Sequence, residues 1–107
     1  MLLKSKKKRD GMLFSLIEEK IKTREYVFVK HAKERQITRE ISELEVLYIL
    51  EGKRKYARKH NKQKDIFIDG RQDWNYCIEG INQNKEKIRV IVSFMENLML
   101  IITVIKL

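Results

Sequence analysis

Apolar residues change their spacing halfway along the chain. In residues 12–23, Leu13, Leu16, Ile17 and Ile21 recur at intervals of three and four while Glu18 and Glu19 take the wet side, which predicts a short amphipathic helix. Tyr26-Val27-Phe28-Val29 is aromatic and β-branched and reads as an extended segment or short strand. His31, Arg35 and Arg39 follow at i, i+4 and i+8, one drifting stripe on a helix of two or three turns. Ser42 and Glu45 then form a capping box, Leu44, Val46, Leu47, Ile49 and Leu50 supply apolar residues, and Gly52 is placed to end that helix.

From Asp65 onward the period becomes two. Trp74, Tyr76 and Ile78 alternate in WNYCIEG, and Ile88, Val90, Val92 and Phe94 alternate in KIRVIVSF, so both stretches read as strands. The six residues INQNKE between them suit a hairpin loop. LMLIITVIKL, residues 98–107, is apolar on both faces, as a central strand is, and Met95-Glu96-Asn97 makes the turn before it. Helices first and an antiparallel meander afterwards predict an α+β fold, with the N-terminal helices packed on one face of an antiparallel β-sheet. Residues 1–11 read as a basic, mobile extension and residues 12–107 as a single domain.

Composition narrows the class. With 107 residues, 43% apolar and no proline, the chain has enough for one modest core and is neither a disordered tail nor a low-complexity segment. The lone Cys77 rules out an intramolecular disulfide and suits a reducing compartment. Cys77 lacks the neighbours of a zinc site and the two histidines, His31 and His60, are far apart, so no metal and no other cofactor is expected. MLLKSKKKR imitates the start of a signal peptide, but the apolar run Met12 to Ile17 is cut short by Glu18 and Glu19. Leu98 to Ile105 falls far below the roughly 20 apolar residues that span a bilayer. The expectation is a cytoplasmic protein with no membrane partner.

Charge points to a polyanion. Residues 1–64 carry 19 Lys+Arg against 9 Asp+Glu, whereas residues 65–107 carry 5 against 6. Phosphate neutralisation releases counterions and gives sequence-independent affinity. The run KRKYARKHNKQK, residues 53–64, holds seven of these cations and no acid. It reads as a flexible loop contacting nucleic acid through Lys53, Arg54, Lys55, Arg58, Lys59 and Lys62, the alternative being a merely solvated loop. Tyr56 within it is a candidate for stacking on a base.

The front half also carries a motif. His31-Ala32, Arg35, Arg39 and Ile41-Ser42, followed by Val46, Leu50 and Gly52, resemble a small bacterial family catalogued as a domain of unknown function. YVFVKHA, WNYCIEG, IRVIVSF and LIITVI agree with it, so the resemblance spans about residues 12–107. One departure is Glu40, where a glycine often follows the second arginine. That family is similar to the RelE and MqsR toxins of toxin–antitoxin pairs. The resemblance implies N-terminal helices against a curved antiparallel sheet, metal-independent RNA cleavage, and a cognate antitoxin, which in many relatives carries a zinc finger.

Cleaving RNA without metal requires a base for the 2′-hydroxyl, an acid for the leaving 5′-oxygen and cations for the charge gathering at phosphorus. Histidine serves either proton role near neutral pH, and arginine grips phosphate bidentately. His31, Arg35 and Arg39 supply both kinds of group from one face. Their structural alternative is a His31 that anchors the strand–helix junction, with the arginines paired to Glu34, Glu40 or Glu43. Tyr76, Arg89, Thr103 and Lys106 break the apolar rhythm of the strands and are candidates for the sheet side of a cleft; Lys106 stands about where MqsR-like toxins keep a basic residue. Trp74 and Cys77 are expected to pack rather than react. The expected function is a toxin-like endoribonuclease acting on RNA and held by an antitoxin. The alternatives are a non-catalytic nucleic-acid- or partner-binding module and a DNA-directed nickase or gyrase-directed relative.

Overall fold

The computed structural model describes residues 6–29, 41–52, 56–82 and 84–107. In chain order the elements are α1 (Asp10–Lys22), β1 (Tyr26–Phe28), α2 (Glu43–Glu51), β2 (Arg58–His60), a 3-10 turn (Lys62–Lys64), β3 (Tyr76–Ile81), β4 (Lys87–Met95) and β5 (Leu98–Lys106). The strands form one sheet in the order β1-β5-β4-β3-β2, and the two helices pack on it, an α+β arrangement. The expected helix carrying the His31 stripe lies outside the described residues.

Helix α1 starts at Asp10, before the apolar pattern begins, and its first-turn carboxylate suits the positive end of the helix. Leu13 and Ile17 are fully buried, and Lys20 extends their row with its ammonium 3.5 Å from Glu25. Helix α2 obeys its sequence signals at both ends. The Ser42 hydroxyl accepts from the Glu45 amide at 3.1 Å, and Gly52 closes the helix at φ +66°. Val46, Ile49 and Leu50 go into the core, but Leu44 stays exposed; it sits in the first turn, off the buried row.

The sheet is mixed rather than wholly antiparallel. β2-β3-β4-β5 are antiparallel neighbours, but β1 runs parallel to β5, with Tyr26 beside Met99 and Phe28 beside Ile101. β1 lies between the two helices in sequence yet sits next to the last strand, and the long connection that separates them in the chain allows parallel pairing. The hydrophobic period also slips once. Ile91 pairs with Thr103 while Val92 pairs with Ile101, so Ile102 is an extra residue. This bulge lets Met99 and Ile101 face the core before it and Val104 after it. Tyr76, Ile78, Ile88, Val90, Val92 and Phe94 complete the helix-side layer.

The basic run departs from its expected form. Residues 58–60 are an edge strand, with Arg58 opposite Gly80 and His60 opposite Ile78. Tyr56 is buried against Tyr48, ring centroids 5.4 Å apart, and so offers no face to a base. Gly80 is needed here because an added Cβ would meet Ile49 at 2.6 Å. The extension expected at residues 1–11 is part of the fold at its described end. Lys8 donates its backbone N–H to the Tyr76 hydroxyl at 3.1 Å, and Lys7 pairs with Asp65 at 2.8 Å.

Candidate functional site

The sequence-derived site residues divide into three groups. His31, Arg35, Arg39, Lys53, Arg54 and Lys55 lie outside the described residues. Their described neighbours are well anchored: the Val29 amide donates to the Ile101 carbonyl at 3.0 Å, and Ile41 is buried in the core. Val29 is thus held beside β5, and Ile41 is held in the core just before the Ser42 cap of α2.

The strand candidates are not brought together. Tyr76 faces the helices and is wholly buried, whereas Arg89 projects from the opposite face, in register with Glu79. Lys106 shares the helix-side row with Ile88 at the far end of the sheet and pairs with Glu86 at 2.8 Å. Thr103 lies opposite Ile91 on the outer face. Burial, and then the hydrogen bond to the Asp73 carboxylate, push the Tyr76 hydroxyl far above its ordinary pKa, which leaves it a fixed donor rather than a proton carrier at neutral pH.

Arg89 belongs to a charge cluster on the outer face. Its Nε and Nη2 both lie 2.9 Å from Glu79 Oε2, and Asn61 Nδ2 donates to the same oxygen at 3.1 Å. Burial alone would raise the Glu79 carboxyl, but the bonds from Asn61 and Arg89 outweigh it and hold the group below its usual range. Cys77 lies beside this pair, and burial pushes its thiol up to about 11. It is a buried packing group, and little of it is thiolate at neutral pH.

The remaining basic candidates differ in availability. Arg58 is committed to structure: its guanidinium donates to the Leu50 carbonyl near the end of α2, stacks on Phe14 at 4.0 Å and lies 3.8 Å from Glu18. Lys59 is exposed on the outer face, and Lys62 reaches Asp10 at 3.5 Å while staying largely in solvent. Lys59 and Lys87 line a cleft of about 220 Å³ with Glu79, Gly80 and Ile81.

A second constellation escaped the sequence reading. The His60 side chain is fully buried between two carboxylates, with Nδ1 2.8 Å from Asp10 Oδ1 and Nε2 2.6 Å from Asp65 Oδ2. The Asp65 side chain is equally inaccessible, and its second oxygen accepts the Cys77 amide at 2.8 Å. Next to it the Tyr76 hydroxyl donates to Asp73 Oδ1 at 2.6 Å, and Lys8 pairs with the other Asp73 oxygen. The His60 and Tyr76 rings stand 5.9 Å apart. Residues 10, 60, 65, 73 and 76 share no sequence period, so only the antiparallel register of β2 on β3 and the packing of the N-terminal segment bring them together. Among the described residues no group of three His, Cys, Asp or Glu is placed to hold a metal ion, and no helix is long and apolar enough to cross a membrane.

A family model described as a domain of unknown function, DUF4258, matches residues 28–106. No curated protein and no solved structure matches the chain. The matched span contains the His31 motif, the basic run, β2 to β5 and His60, and it leaves out Lys7, Lys8 and Asp10.

Proposed function

The chain belongs to the DUF4258 family, and from that premise we propose that it is the toxin of a type II toxin–antitoxin pair, a cytoplasmic endoribonuclease that cuts RNA by general acid–base chemistry without metal. The observation that carries this reading is the His31-Arg35-Arg39 spacing inside the matched span, on a chain of net charge +9. In this scheme His31 moves the proton, and Arg35 and Arg39 hold the phosphate as charge builds on it. Lys59 and Lys87 beside the outer-face cleft, with Lys53, Arg54 and Lys55 preceding them in sequence, extend the contact to the backbone of the RNA. An antitoxin masks this surface through an acidic segment.

One observation favours a second reading. The strand candidates are already engaged, Arg89 by Glu79, Lys106 by Glu86 and Tyr76 by Asp73. If the 30–40 segment contributes no proton transfer, what remains is a non-catalytic nucleic-acid-binding module.

His31→Ala separates the two. Under the toxin reading it lowers single-turnover cleavage of a single-stranded RNA by about 10²–10⁴ while binding and melting hold. Arg35→Ala and Arg39→Ala weaken binding and cleavage together, and lysine rescues poorly. Chelators change nothing. Wild-type protein that binds RNA with a steep salt dependence but never cuts it establishes the binding module instead.

A further inference from the structure

We propose that residues 7–10 form an ionic strap that closes over a buried acid–base pair, His60–Asp65, and that its release exposes that pair to solvent and ligands. The inference goes beyond the ribonuclease reading and requires neither RNA nor an antitoxin.

The strap has three fastenings, each from a different residue to a different buried group. Lys7 Nζ lies 2.8 Å from Asp65 Oδ2 and 3.2 Å from the Lys62 carbonyl, and 5.1 Å above the Trp74 ring. Lys8 pairs with Asp73 through its ammonium and bonds the Tyr76 hydroxyl through its backbone. Asp10 bonds His60 and lies 3.5 Å from Lys62. Asp10 is the only acid before Glu18, so it sets which lysines of the KSKKKR run meet the two carboxylates.

The fastenings and the groups beneath them differ in exposure. Lys7 and Lys8 keep 32% and 21% of their side chains in solvent, whereas His60 and Asp65 have none. Salt and competing cations therefore act on the strap first. Lys7, Lys8 and Asp10 also lie before the matched family span, which holds His60, Asp65, Asp73 and Tyr76. The closing element thus lies outside the matched family span while belonging to the same fold. With the strap lifted, Asp65 still orients His60, the arrangement a general base uses, and Asp65 and Asp73 lose their described cations. Two buried carboxylates without counterions demand either water or another cation, so release admits solvent rather than leaving a dry void.

The test is carbethoxylation of histidine in the full-length protein by diethylpyrocarbonate, with His60 and His31 followed separately by peptide mass spectrometry. In wild type at low salt His60 is protected, and its modification rises with added salt. In Lys7→Ala/Lys8→Ala it reacts at least tenfold faster while the melting transition persists, and Lys7→Arg/Lys8→Arg restores protection. Lys7→Ala alone gives an intermediate rate. A His60 that stays protected in the double variant, or reacts freely in wild type at low salt, overturns the strap. Loss of cooperative melting in the double variant also overturns it, because residues 7–10 would then be a structural part of the core.

Discussion

The two sides of the sheet's midline are held by different forces. On the β5–β4 side, Met99, Ile101, Val104, Val90 and Val92 are fully buried in an apolar layer, with the exposed-end pair Lys106–Glu86 beyond it. On the β3–β2 side the same sheet closes on ionisable groups: His60 with its two aspartates, Tyr76 with Asp73, and Glu79 with Arg89. Apolar burial is non-directional and indifferent to moderate salt. Ion pairs and charged hydrogen bonds are directional, and they answer to pH and ionic strength. The β2 edge is consequently where this fold is tunable.

The largest effect expected is in the apolar half. Ile101→Ala removes a fully buried side chain between β1 and β4 and should cost about 2–5 kcal/mol. Denaturant melts at low and high salt should show the same loss. A loss that depends strongly on salt would break the division between the two sides.

Arg89→Ala comes next. It leaves Glu79 buried with Asn61 and the weak donor Cys77 as its remaining described hydrogen-bond partners, and should cost roughly 2–3 kcal/mol, below the full cost of a wholly buried pair because Arg89 is partly exposed. Replacing both partners, Glu79→Leu with Arg89→Met, should recover most of that loss. Failure to recover would mean that the pair's charge, and not its space-filling, is needed on this face.

The smallest effect is the response to acid. The hydrogen bond from His60, and then the charges of Lys62 and His60, keep the Asp10 carboxyl below its usual 3.8 against a desolvation penalty that would raise it. A carboxylate with a depressed folded pKa contributes stability that is present above its unfolded value and lost as pH falls through the folded one. Asp10→Asn should therefore lower stability modestly at neutral pH and flatten its fall below about pH 4, where wild type and variant converge. An acid limb identical to wild type would remove Asp10 from the fastening of the β2 edge.

Much of the fold was legible because local rules carry it. The Ser42 cap, the Gly52 terminator and the alternation through β3 and β4 are each set by neighbours a few residues apart, where one backbone conformation satisfies both pattern and hydrogen bonding. The candidate site was far less legible. The strand residues that broke the apolar rhythm were read as one cleft, yet Tyr76 and Arg89 fall on opposite faces of adjacent strands. The basic run was read as a loop because charge hides a strand of only Arg58–His60. Its edge position on β3 overrides composition.

What the amino-acid sequence determined by itself was the class of element at α1, β1, α2, β3, β4 and β5, the basic character of the front half and the single cysteine. Those follow from periodicity, charge and neighbours, all of which act over one or two turns. Tertiary structure alone decided that β1 joins β5 in parallel and that Ile102 bulges to turn Val104 inward. It also decided that Asp10, His60, Asp65, Asp73 and Tyr76 meet. The physical reason is the same in each case. Strand partners and buried ion pairs join residues tens of positions apart, and their energy depends on a register that no local stretch of chain encodes.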